Sequence, residues 1–184
     1  MRVVQRELQS QVRAMTIAAR DRIDALVRPL AASQLNAHPE PNGWSIGQVL
    51  EHLCLAGDLT EAPAAERLRT ARKDPGAAAR EWKPTFLGGL IASSLIKPKP
   101  LKGPKIFRPG STPRSGIVDA WYAGEQRFLS DLDQAGDLDW VALRIPSAAM
   151  PAWAPKMNLG DGFRIHAVHI ERHSHQIERL VGKL

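Results

Sequence analysis

At 184 residues the chain is long enough for one domain with its own core. Its 43% apolar and 24% charged residues exclude a disordered or fibrous class. The single cysteine, Cys54, excludes an internal disulfide and a thiolate zinc cluster. The N-terminus is charged within its first eight residues and has no apolar h-region, so no signal peptide is expected. No apolar run approaches the ~20 residues of a membrane span, and the expected location is the cytoplasm with no membrane partner.

The first helical pattern covers 3–31. Val4, Leu8, Val12, Met15, Ile23, Leu26, Val27 and Leu30 recur mostly at steps of three or four, uninterrupted until Pro29. AASQLNAHPEPNG is then a turn-rich connection. A second helix starts at Ser45, where Ser45 and Gln48 have the spacing of a capping box, and continues past Pro63, a possible kink. Residues 74–112 hold six of the fourteen prolines and read as a crossover with a short helix over 84–96. Thr112-Pro113 is a plausible start for a third long helix, with a capping hydroxyl and a proline where no N–H is needed. Its stripe is Ile117, Trp121, Phe128 and Leu132, and it ends near Ala135-Gly136. Residues 136–159 form a second irregular connection in which WVALRIP is the one extended candidate. The last helix begins around Gly160-Asp161 and stops at Gly182. The expected fold is all-α: a four-helix bundle, one domain over 1–184, with a long crossover between the second and third long helices. Strands alternating with helices, which an α/β fold needs, are missing.

The net charge of +6 belongs to one segment. Residues 97–114 contain Lys97, Lys99, Lys102, Lys105, Arg108 and Arg114 and no acid, while the rest of the chain balances 19 basic against 19 acidic side chains.

Four of the six histidines fall within ten residues: His166, His169, His173 and His175. On a helix, His169 and His173 lie one turn apart on one face, His166 shares that face, and His175 points away. Ile165 and Leu180 fall near the paired face, and His52 sits with Val49, Ala56 and Leu59 on the apolar side of the second helix. A single inward histidine is commonly a hydrogen-bonded core residue. Three together are hard to satisfy: a neutral imidazole has one acceptor nitrogen that needs a donor, and charging several in a core is costly. One divalent ion satisfies all three. HExxH and ExxH motifs are absent, so neither a metalloprotease helix nor a di-iron carboxylate bundle fits. The expected centre is mononuclear and imidazole-rich, with no protein carboxylate.

Two stretches, NGWSIGQVLEHL and HIERHSHQIERL, resemble the signature segments of the DinB-like (DinB/YfiT) four-helix-bundle superfamily. The resemblance implies metal ligation by His52, His169 and His173, with Trp44 and Gln176 at flanking positions of the motifs. It implies a nickel or zinc ion, with iron or manganese as alternatives, and a bacterial metal-dependent enzyme. The activity it implies is a thiol transferase acting with a small-molecule substrate such as a low-molecular-weight thiol; a hydrolase is equally compatible with the site. The 97–114 segment and His166 depart from the family pattern. His166 is open as an alternative ligand or as a partner that hydrogen-bonds to a ligand, and Gln176 as a residue that orients a ligand by hydrogen bonding or simply sits at a helix seam. The rival reading, from a different class, is a binding protein that meets nucleic acid or another anionic partner through 97–114; few aromatics interleave with the cations, so a solvated loop is the simpler account of that segment. The oligomeric state is open, a homodimer included.

Overall fold

The computed structural model describes residues 2–97, 103–146, 150, 153 and 155–184, with the backbone alone at 61–64. Six helices dominate: α1 (Gln5–Val27), α2 (Ala32–Leu35), α3 (Ile46–Thr70), α4 (Phe86–Ile96), α5 (Ile117–Gln134) and α6 (Leu159–Val181). The four long ones, α1, α3, α5 and α6, form the bundle. α1 lies against α6 and α5, and α3 lies against α5 and α6. The fold class read from the sequence is therefore observed, and the crossover from α3 to α5 carries α4 onto α6.

The inward stripe of α1 is Gln5, Leu8, Val12, Thr16, Ala19, Ile23 and Val27. The spacing is helical throughout, but two of its members are polar and the expected Met15 is 38% exposed. Gln5 is tolerated because its amide is fully engaged. Nε2 donates to the Leu138 carbonyl at 2.9 Å, and Oε1 accepts from the Trp140 backbone N–H at 3.1 Å. Residues 3–4, expected to be helical, pair instead as strand β1 (Val3–Val4) with β2 (Glu81–Trp82).

α3 begins as expected. Ser45 Oγ accepts from the Gln48 N–H and Gln48 Oε1 accepts from the Ser45 N–H. The helix is continuous through position 63. α5 starts four residues later than Thr112-Pro113 implies, at Ile117 after Gly116 in the left-handed region (φ 66°). Residues 113–114 are used otherwise. The Pro113 ring lies where a Cβ on Gly47 would collide with it, and Arg114 grips Glu51 of α3 with its backbone N–H and guanidinium. The extended piece in the second connection is only β3 (Arg144–Ile145), antiparallel to β4 (Met157–Asn158).

The start of α6 is the most heavily bonded joint. Asn158 and Asp161 form a capping box. Asn158 Oδ1 also accepts from the Trp82 indole N–H at 3.0 Å, and Asp161 Oδ2 accepts from the Thr85 hydroxyl at 2.6 Å. Thr85 in turn caps α4. Such close packing needs glycine at two points: a Cβ on Gly160 would overlap the Trp82 indole, and one on Gly88 would overlap the Asp161 carboxylate. The core divides into two clusters, one near this joint around Trp82, Phe128, Trp140 and Phe163, the other around Ile46, Leu50, Trp121 and Ile170. Among the described residues no helix is long and apolar enough to cross a membrane.

Candidate metal centre

His52 lies on the buried side of α3, and His169 and His173 lie one turn apart on α6. The bundle brings them face to face. His169 Nε2 is 3.0 Å from His52 Nε2 and 3.0 Å from His173 Nε2. Among the described residues these three form the one group of histidine, cysteine or acidic side chains whose atoms converge closely enough to hold an ion, all within 4.8 Å of one another. Two nitrogens sharing an ion at ~2.0–2.1 Å stand roughly 2.9–3.4 Å apart for angles between a right angle and a tetrahedral one. The observed spacing fits.

Hydrogen bonds on the far side of two rings decide their tautomers. His52 Nδ1 is 2.6 Å from the Phe107 carbonyl, and His173 Nδ1 is 2.8 Å from Gln176 Oε1. Both oxygens only accept, so both Nδ1 atoms carry the proton, and in the neutral rings both Nε2 atoms are bare lone pairs. His169 has one ring proton to offer between them. Whichever neighbour it serves, the other keeps an unsatisfied acceptor. Protonation does not resolve this. Burial pushes the His52 and His169 pKa down, and for His169 the neighbouring histidines push the same way. Burial also pushes His173 down to about 3. Two inward lone pairs, and a third when His169 carries its proton on Nδ1, form a group that could hold a cation in a site that resists protons.

The other candidates fall into place around this trio. Gln176 lies next to it and orients His173 as described. His166 does not join the three nitrogens. Its Nε2 donates to the Glu125 carboxylate at 2.9 Å, and its ring stacks on Phe128 at 3.6 Å between centroids. Trp44 flanks His52 with ring centroids 5.0 Å apart. His175 is exposed and pairs with Glu171. Cys54 is half-buried, and burial raises its thiol pKa to about 12, which leaves it a packing residue.

Two contributors were missed in the sequence. Glu125 is a buried carboxylate within hydrogen-bonding reach of His166. Its place on the α5 stripe, four residues from Trp121 and three from Phe128, was the available signal. Phe107 acts through its backbone carbonyl, which no side-chain pattern reveals.

A family model described as the DinB superfamily matches residues 15–177. The chain belongs to the DinB superfamily. The match covers all three histidines of the converging trio and Gln176. Comparison with curated proteins and with solved structures gave no match.

Proposed function

We propose that this DinB-superfamily chain is a metal-dependent enzyme of the thiol-transferase or hydrolase type, with one divalent ion held by His52, His169 and His173. Nickel and zinc suit an all-imidazole donor set best, with iron or manganese as alternatives. The observation that supports the reading most is the pair of outer hydrogen bonds, His52 Nδ1 to Phe107 and His173 Nδ1 to Gln176, which turn the lone pairs of both rings toward His169. Metal-ligating histidines are held in this way by acceptors on the far nitrogen.

A divalent ion held by three neutral imidazoles keeps open positions and lowers the pKa of a water or thiol bound there, which gives a nucleophile near neutral pH. The protein's part is to orient and to handle protons. Phe107 and Gln176 fix two rings, and Trp44 walls one side. His166, about one turn before His169 on α6 and bonded through Nε2 to Glu125, is the proton acceptor on this reading. The substrate on this reading is a small molecule, such as a low-molecular-weight thiol. Nucleic-acid binding through 97–114 is the less supported reading. Lys99 and Lys102 lie outside the described residues, and Arg114 is already committed to Glu51.

Metal analysis of purified protein tests the proposal. Wild type should carry about one equivalent of divalent metal after loading and desalting, and His52→Ala and His169→Ala should lose it. A wild type that retains no metal refutes it.

A further inference from the structure

The cationic segment is fastened around the histidine trio. On the α3 side, the Phe107 carbonyl touches His52 Nδ1, and the Gly110 carbonyl accepts from Gln48 Nε2 at 2.9 Å, one turn before His52. On the α6 side, Arg172, between His169 and His173 in the chain, donates to the carbonyls of Leu95 at 3.0 Å and Lys97 at 2.7 Å. The described ends of the segment are thus each tied to the helices that carry the trio.

The charge of this surface has one sign. From Trp82 to Val118 there is no acidic residue, and seven lysines and arginines fall in that run. Lys97, Lys105 and Arg108 are exposed, and among the described residues none has a carboxylate partner, unlike Arg114. Lys105 and Arg108 stand two residues before and one after Phe107, whose carbonyl meets His52 Nδ1, so both belong to the turn that is fastened to the trio. The trio itself adds no negative charge. A dication on three neutral nitrogens, flanked by cations, has no anion among its own ligands to balance it.

From this we infer that the substrate is a small molecule with a fixed negative charge apart from its reacting group, drawn in and selected by Lys97, Lys105 and Arg108. The inference rests on the proposed metal site and specifies the class of molecule that site accepts. A cationic field beside an open position raises the local concentration of anions and lowers that of cations. The three side chains reach the ligand through the field, and among the described residues none of them is held in an ion pair.

Cobalt-loaded protein separates this inference from the metal reading. Three thiols of similar size serve as probes: 3-mercaptopropionate (anionic), 2-mercaptoethanol (neutral) and cysteamine (cationic), with binding followed by the sulfur-to-cobalt charge-transfer absorption. At 20 mM salt, 3-mercaptopropionate should bind about tenfold tighter than 2-mercaptoethanol, with cysteamine weakest, against the order of their thiol acidities. The preference should shrink to about twofold at 0.5 M salt and in a Lys105→Gln/Arg108→Gln variant that still takes up one cobalt. Equal affinities at low salt, or a preference that the variant and the salt leave unchanged, overturn the inference and leave the metal site standing. Failure of the wild type to take up cobalt overturns the metal reading and this inference with it.

Discussion

Removing the Gln176 carboxamide by Gln176→Ala should weaken metal binding while leaving all three histidines in place. Gln176 Oε1 accepts from His173 Nδ1 at 2.8 Å. Without it, His173 gains by moving its proton to Nε2, where it can donate to His169 3.0 Å away. That tautomer offers no lone pair to an ion. Loss of such an outer partner typically costs 10–100-fold in metal affinity, about 1.4–2.8 kcal/mol. Gln176 is only half-buried, so truncation opens little cavity and the fold should persist. Gln176→Glu keeps an acceptor at the same place and should restore most of the affinity. Zinc titrations in competition with a chromophoric chelator measure the change directly, and thermal melts in excess chelator give the fold's own stability. If the alanine variant binds zinc within twofold of wild type, the tautomer argument fails, because the hydrogen bond would then be incidental to the metal.

Stability of the metal-free protein should depend on pH with a definite sign. His52, His169 and His173 have folded pKa values below the ordinary histidine value of about 6.5, so the unfolded chain binds more protons than the folded one below that pH. Denaturant midpoints in chelator should therefore fall as pH drops from about 6.5 toward about 3, by up to about 1.4 kcal/mol per pH unit for each titrating histidine, and a flat profile would contradict the burial of the trio. Gly160→Ala forces a methyl into the Trp82 indole and should cost about 1–3 kcal/mol in urea unfolding, with the slope unchanged. Arg114→Ala strips Glu51 of its partner. Burial alone would raise the Glu51 pKa, but hydrogen bonds and charge from Arg114 outweigh it and hold it low. Since Arg114 is partly exposed, the expected loss is about 1–2 kcal/mol at pH 7. It should fade as pH falls through the carboxylate range, which unfolding at pH 7 and pH 4 would show.

The bundle was readable in the sequence because each long helix writes its buried face at helical spacing, and α3 even announces its start through Ser45 and Gln48. The histidine trio was readable for the same reason, since helical phase alone puts His169 and His173 on one face. What failed was local. Met15 was assigned to the α1 stripe by hydrophobicity, whereas the helix turns Thr16 inward. Thr112-Pro113 has the chemistry of a helix start, but Pro113 packs on Gly47 and Arg114 is drawn to Glu51, so tertiary contacts delay α5 to Ile117. Residues 3–4 were counted as helix because strand pairing with Glu81–Trp82 is non-local. The 97–114 segment reads as a solvated loop because side chains alone were weighed. Its link to the site runs through backbone carbonyls, and any residue type supplies those.

The Phe107–His52 bond joins a crossover turn to a bundle helix through one proton shared between a backbone oxygen and an imidazole. Such a joint works in both directions by thermodynamic necessity. Whatever holds the turn in place holds the ring at its angle, and whatever occupies the ring's inner nitrogen makes the outer N–H a better donor to the turn. Occupancy of the centre should therefore be felt at the chain's surface: resistance of the Lys105–Arg108 turn to trypsin becomes a gauge of what sits 117 residues apart in sequence, between His52 and His169.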